Sequence, residues 1–208
     1  MRSSVIRRRR VLSGLMAVAA MAGCSSTPAR LYVLTPMAGE DRDTKRRTGR
    51  SVGVQLVSVP EYLDRPEIIA YTSAHELSAN RDDRWAERLP VNATRVLVEN
   101  LSILLGTDRV YAVPSRTNGP PDYEVSVEFD RFERTASDDS VLDAHWAIHD
   151  GATQKVLVRE ETRLATRVVD NGYPALVAAM NDNLTALSRD IAKAIAKLPN
   201  KGGSRART

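Results

Sequence analysis

The sequence predicts an α/β fold: a two- or three-layer sandwich in which a mixed, mostly antiparallel sheet is covered by two amphipathic helices. Three observations support this class. Segments that alternate apolar and polar residues lie on both sides of a first helical segment, a second helical segment follows the last of them, and each helical segment carries one apolar stripe. Because each helix must bury its stripe, a sheet is the expected partner layer.

The first half of the chain contains short strand-like segments and one helix. Strands are predicted over residues 31–34 and 51–59, and Pro60 ends the second one. Residues 67–71 and 75–77 are expected to form a hairpin with its turn near residues 72–74. The first helix is expected to begin near Pro90 or Val91 and to stop at Gly106. A short strand over residues 110–113 precedes Pro114.

The second half contains the clearest patterns. Residues 123–130 alternate apolar and polar side chains, as expected for a half-buried antiparallel strand. Strands over 141–149 and 154–166 follow, joined by an Asp150-Gly151 turn signal. The last helix is predicted to open near Tyr173. Its apolar stripe comprises Leu176, Met180, Leu184, Leu187, Ile191, Ile195 and Leu198.

The N-terminus has the features of a bacterial lipoprotein signal. Basic residues precede an uncharged stretch over residues 11–22 that is too short to cross a bilayer, which needs about 20 apolar residues. Met21-Ala22-Gly23-Cys24 resembles the lipobox, with Met21 standing where leucine is usual. The resemblance implies cleavage before Cys24 and acylation of its thiol with chains such as palmitate. The alternatives are a signal anchor, or an ordinary cleaved signal with a chance cysteine.

Cys24 is the only cysteine in the chain, which excludes an internal disulfide and a zinc site built on several thiolates. Ser25 follows it, and similarity to the enterobacterial sorting rule implies the outer membrane as the destination. A twin-arginine signal and a plain basic leader are both compatible with Arg8-Arg9-Arg10. The covalent lipid on Cys24 is the only bound group expected.

Four parts are predicted along the chain: a signal peptide over 1–23, a lipidated tether over 24–30, a single α/β domain over 31–198 and a flexible tail over 199–208. Residues 1–23 contain five arginines and no acidic residue, so the formal net charge of +4 belongs to the precursor. Without them, 25 basic side chains face 26 acidic ones, and no nucleic-acid partner is expected.

The chain has no nucleophile elbow, phosphate-binding loop or dinucleotide fingerprint, so we expect no enzyme and no catalytic residue. No metal site is expected either. His145 and His149 lie on a predicted strand, where a spacing of four residues separates them by roughly 13 Å. Asp138 and Asp139 are expected in a solvated turn.

Several ordered segments together resemble one family. Residues 60–66 (PEYLDRP) resemble its Pro-x-Tyr-Leu-Asp-Arg signature, and residues 85–89 (WAERL) and 95–101 (RVLVENL) follow. Residues 125–129 and 142–146 continue the likeness. This set is similar to the PqiC/YmbA family, the auxiliary lipoproteins of ABC-type and MCE-protein transport systems.

The resemblance implies a non-enzymatic lipoprotein on the periplasmic face of the outer membrane that works with an MCE-domain protein spanning the periplasm. Tyr62, Asp64, Arg65 and Trp85 are predicted docking residues, because Tyr, Trp and Arg are favoured at interfaces. The alternative is that Tyr62 and Trp85 pack under the loop over residues 60–66. The other hypotheses for the function are a periplasmic lipid-binding carrier and an envelope hydrolase, and a homo-oligomer is a further hypothesis for the assembly.

Overall fold

The computed structural model describes residues 28–38, 50–170 and 172–201. The predicted signal peptide and Cys24 lie outside the described residues. The strands are β1 (Arg30–Tyr32), β2 (Val52–Gln55), β3 (Glu67–Ser73), β4 (Glu76–Trp85), β5 (Val110–Val113), β6 (Tyr123–Arg134), β7 (Asp139–Asp150) and β8 (Val156–Arg167). The helices are α1 (Leu89–Leu105) and α2 (Tyr173–Lys197).

The described strands form one mixed sheet of eight strands centred on β6. On one side of β6 lie β2, which also pairs with β5, and β3, which continues through β4 to β1. On the other side, β7 and β8 follow in antiparallel order. The longest ladders are the antiparallel ones, as predicted, whereas β1–β4, β2–β5 and β2–β6 are parallel.

Both helices pack side by side against one face of this sheet, so the fold has two layers. α1 contacts β2 and β5, and α2 contacts β6, β7 and β8. The Asn100 amide of α1 donates a hydrogen bond of 3.0 Å to the Ser188 hydroxyl of α2 in the buried contact between them. Apolar side chains of both helices and the sheet form the core. The α/β fold class predicted from the sequence is confirmed.

The ends of the helices follow the chemistry of their sequences. Gly106 has φ 60° and ψ 41°, a left-handed conformation that glycine adopts without steric cost, and it ends α1 as predicted. α2 begins at Tyr173 with Pro174 in its first turn. At the C-terminal end of α2, the carbonyls of Ala196 and Leu198 have no partner within the helix. The Arg50 guanidinium donates hydrogen bonds to both of them.

Two strands are longer than the alternation predicted. β4 runs to Trp85 although residues 78–84 are mostly polar, and Asp83 and Trp85 are its only buried residues. β6 runs to Arg134 through a bulge between Phe129 and Arg131, which shifts the inward-facing phase by one residue.

The β7–β8 turn requires glycine at position 151. The Gly151 amide donates to the Asp122 carbonyl at 3.0 Å, and a Cβ on Gly151 would lie 1.9 Å from the Pro121 carbonyl oxygen. Only glycine allows this approach of two backbones. The first residues of the predicted tail also make contacts, because the Tyr123 hydroxyl donates to the Pro199 carbonyl at 2.6 Å and Lys201 pairs with Asp150.

Candidate docking surface

The loop over residues 60–66 joins β2 to β3 as a compact turn. The Leu63 amide donates to the Pro60 carbonyl at 2.9 Å, and the Leu63 side chain is buried at 2 % exposure. At the end of the loop, the Trp85 amide donates to the Pro66 carbonyl at 2.7 Å. The loop is therefore tied both to the core and to β4, while Asp64 and Arg65 remain exposed.

A buried carboxylate supports this loop from below. Glu133 is fully buried, and its carboxylate accepts hydrogen bonds from the Tyr62 hydroxyl at 3.0 Å, the Arg131 Nε at 2.8 Å and the Phe132 amide at 2.8 Å. Burial, and next the negative charge of Glu133, raise the pKa of Tyr62 well above its ordinary value. Because the buried charge has several donors, it fixes the position of Tyr62.

Charged side chains cover the exposed side of the loop. Arg88, at the start of α1, forms an ion pair with Asp64, and this hydrogen bond lowers the pKa of the Asp64 carboxyl group. Arg65 pairs with Glu67 at 2.9 Å and lowers the pKa of Glu67 in the same way. We call this charged surface, made by Asp64, Arg65, Glu67 and Arg88, the loop surface.

The structure separates the four predicted docking residues into two groups. Asp64 and Arg65 lie on the loop surface. Tyr62 is half-buried against the core, and Trp85 is 6 % exposed within it, as in the packing alternative. Docking through the two charged residues stays a prediction. Arg88 was not among the predicted residues, because it is 24 positions from Asp64 and no local pattern connects them.

A second buried carboxylate holds the N-terminal strand. Asp83 of β4 has a fully buried side chain and accepts from Arg30 at 2.8 Å, the Tyr32 hydroxyl at 2.8 Å and the Asn80 amide at 2.8 Å. Burial and the hydrogen bond to Asp83 raise the pKa of Tyr32. The Tyr173 ring of α2 lies 6.3 Å from the Tyr32 ring. We call Arg30, Tyr32, Asn80 and Asp83 the β1 clamp.

Sequence reasoning missed Asp83. The available signal was its position two residues before Trp85, which places both side chains on one face of a strand. Its neighbour Asp82 is exposed. Because most residues of β4 are polar, the sequence did not predict a strand beyond Leu77. It therefore did not indicate which side chains of that segment point into the fold.

The histidines do not converge. His145 Nε2 lies 3.1 Å from an Asp130 carboxylate oxygen, His149 Nε2 lies 3.0 Å from the Ser126 hydroxyl, and His75 is exposed near the β3–β4 turn. Within residues 28–38, 50–170 and 172–201, no group of three or more His, Cys, Asp or Glu side chains could hold a metal ion. In the same part of the chain, no helix is long and apolar enough to cross a membrane.

Comparison with known proteins agrees with the fold. The chain is 25% identical over 189 residues to the intermembrane transport lipoprotein PqiC of Escherichia coli (strain K12), a match that covers 89% of this chain and 98% of that protein. The PqiC of Shigella flexneri matches to the same extent.

Two crystal structures share the architecture. One, of an uncharacterized protein, superposes with a TM-score of 0.67 at 19% identity and covers 81% of this chain and 99% of its own. The other, of a Xanthomonas campestris protein, has a TM-score of 0.66 at 16% identity and covers 79% of this chain and 93% of its own. At such identities the likeness concerns the fold alone.

The family model of the ABC-type transport auxiliary lipoprotein component matches residues 32–192, which include β2 to β8, all of α1, the last residue of β1 and α2 as far as Ala192. The match contains the loop surface and most of the β1 clamp. The chain belongs to the family of ABC-type transport auxiliary lipoprotein components.

Proposed function

We propose that this protein is a non-enzymatic subunit of an intermembrane transport system, anchored by lipid on Cys24 to the periplasmic face of the outer membrane and docked on an MCE-domain protein that spans the periplasm. An auxiliary lipoprotein of a transport system is the role that the family match gives it. That match over residues 32–192 is the observation that carries the proposal.

The anchor is supported by the lipobox-like residues before Cys24 and by the short distance to the folded domain. Only five residues lie between Cys24 and Arg30, the first residue of β1, so six Cα–Cα steps join them. At about 3.3–3.6 Å per residue, this tether spans roughly 20 Å at most. The domain is therefore held close to its membrane, at a place where a periplasm-spanning partner would end.

The docking function is supported by the rigidity and charge of the loop surface. Asp64 and Arg65 project from a turn whose base is fixed by the buried Tyr62–Glu133 hydrogen bond. Preorganised charged groups favour specific association because little side-chain and loop entropy is lost on binding. Charges of both signs lie side by side, which favours a partner surface with a complementary charge pattern.

The alternative lipid carrier would need an apolar cavity between the helices and the sheet. Apolar side chains of both helices and of β6 and β7 fill that contact. A depression at the β2–β5 end is lined by polar residues such as Ser51, Asp108 and Asn118. Native mass spectrometry of the purified protein distinguishes the two roles, because a carrier would retain bound lipid.

Crosslinking in intact cells tests the docking proposal. The Arg65→Glu variant is compared with the Arg163→Glu variant, whose charge reversal lies on β8 at the opposite edge of the sheet. We expect the wild type and Arg163→Glu to crosslink to an MCE-domain protein and Arg65→Glu to lose most of the product. Absence of an MCE-domain protein from the wild-type crosslinks would contradict the proposal.

A further inference from the structure

The β1 edge of the sheet exposes apolar side chains. Leu31, the central residue of β1, is 66% exposed, and Val33, which directly follows β1, is 41% exposed. Val91, in the first turn of α1, is 42% exposed. β1 pairs with β4 on one side, and within the described residues no strand pairs with its other side.

Leu31 and Val33 are exposed because side chains alternate along the strand. Tyr32 and Leu34 point into the fold, so Leu31 and Val33 point away from it. Leu34 is bound to α1 through both backbone groups, since its amide donates to the Asn92 side chain at 2.6 Å and its carbonyl accepts from that side chain at 3.1 Å. Val91 directly precedes Asn92, so these hydrogen bonds join the residue after Val33 to the first turn of α1, which carries Val91.

Basic side chains flank the apolar ones. Arg30 precedes Leu31 with 63% of its side chain exposed, and Arg84 is the β4 residue paired in register with Leu31. Exposed apolar residues beside arginines suit a lipid surface, because the apolar groups leave water while the guanidinium groups remain at the level of the phosphates.

The short length of the tether limits which surface can cover the β1 edge. With five residues between Cys24 and Arg30, the start of β1 cannot move more than roughly 20 Å from an acylated Cys24. The β1 clamp adds to this restriction, because Asp83 holds Arg30 and Tyr32 to β4 and keeps the strand from peeling away. The edge nearest the lipid is thus also an edge with unpartnered apolar side chains.

We propose that the β1 edge, through Leu31, Val33 and Val91, lies on the phospholipid surface and sets the orientation of the domain on its membrane. This inference rests on the proposed anchoring through Cys24. In this orientation β8, at the other edge of the sheet, points away from the bilayer.

Fluorescence quenching in vesicles tests the orientation. An acylated Cys24 has no free thiol, so a cysteine introduced elsewhere becomes the single labelling site. The full-length lipidated variant Leu31→Cys is labelled and reconstituted in vesicles of phosphatidylethanolamine and phosphatidylglycerol that contain a lipid with a headgroup-attached quencher. The matched control is Leu157→Cys, on β8, which replaces another exposed leucine at 39% exposure. Intact mass spectra of both proteins report acylation.

We expect the label at position 31 to be quenched several-fold more strongly than the label at position 157. Adding Val33→Glu to the Leu31→Cys variant is expected to weaken this quenching. Equal quenching at the two positions in acylated protein would overturn the orientation while leaving the anchor intact. An unacylated Cys24 would overturn the anchor and the orientation together.

Discussion

The Tyr62 hydroxyl donates a hydrogen bond of 3.0 Å to the fully buried carboxylate of Glu133. Tyr62 belongs to the loop between β2 and β3, and Glu133 lies near the end of β6, 71 residues later. The contact therefore holds the loop over residues 60–66 against the central strand of the sheet. It connects the position of two exposed charges, Asp64 and Arg65, to the stability of the core.

Removing this donor is predicted to destabilise the fold. Tyr62→Phe keeps the ring but leaves the buried Glu133 carboxylate with one donor fewer, which costs about 1–3 kcal/mol. The free energy of unfolding is measured by urea denaturation followed by circular dichroism. Tyr71→Phe is the matched control, because the half-buried Tyr71 contacts Arg131 through its ring, 5.8 Å from the guanidinium carbon. Equal stability of Tyr62→Phe and the wild type would refute the proposed role of the hydrogen bond.

The same contact predicts a loss of stability in alkali. Burial and Glu133 raise the pKa of Tyr62 above its ordinary value of 10.0. A raised pKa in the folded state contributes stability that is complete below pH 10.0 and is lost as the pH rises through the folded pKa. The stability difference between wild type and Tyr62→Phe should therefore shrink above pH 10.0. Urea denaturation at a series of increasing pH values measures this difference. A difference that stays constant above pH 10.0 would contradict a raised pKa of Tyr62 in the folded state.

The β1 clamp is predicted to protect the N-terminal strand from proteolysis. Asp83→Asn removes the charge that holds Arg30, so β1 should open more often and trypsin should cleave after Arg30 several-fold faster. Asp82→Asn, at the exposed neighbouring position, is the control and should cleave at the wild-type rate. Mass spectrometry of the early fragments identifies the cut. Identical cleavage rates in the two variants would show that Asp83 does not hold the strand.

The Asp150–Lys201 ion pair predicts a stability difference that depends on acidity. The hydrogen bond from Lys201, followed by backbone donors of the turn, lowers the pKa of Asp150 far below its ordinary value of 3.8. The resulting stability is present above pH 3.8 and is lost as the pH falls through the folded pKa. Lys201→Gln should thus lower the urea midpoint at neutral pH and converge with the wild type in strong acid. Lys193→Gln, which breaks an exposed ion pair within α2, should show no such convergence.

Elements with periodic patterns could be predicted from the sequence. The 3.6-residue spacing on α2 and the alternation on β6 and β7 indicate which side chains are buried. Both helices also begin within two residues of the predicted positions. β4 could not be predicted beyond Leu77, because its buried positions include the charged Asp83. The burial of Asp83 is possible because Arg30 and Tyr32 approach from β1, more than 50 residues earlier in the chain, and Asn80 donates from the same strand.

The candidate docking residues illustrate the same difference between local and long-range information. The signature segment was visible in the sequence, and its exposed members Asp64 and Arg65 follow from a local turn. The partners Arg88 and Glu133 lie 24 and 71 residues away, and no spacing rule connects them to the loop. The burial of Trp85 likewise depends on packing between β4 and the core, which an aromatic residue in a polar segment does not reveal.

The most direct test of the anchored-subunit proposal is intact mass spectrometry of protein purified from whole cells in detergent, for the wild type and Cys24→Ala. The proposal predicts a wild-type chain that begins at Cys24 and carries acyl chains, and a Cys24→Ala chain without them. A wild-type protein with residues 1–23 retained, or with an unmodified Cys24, would contradict the lipid anchor on which both the docking and the membrane orientation depend.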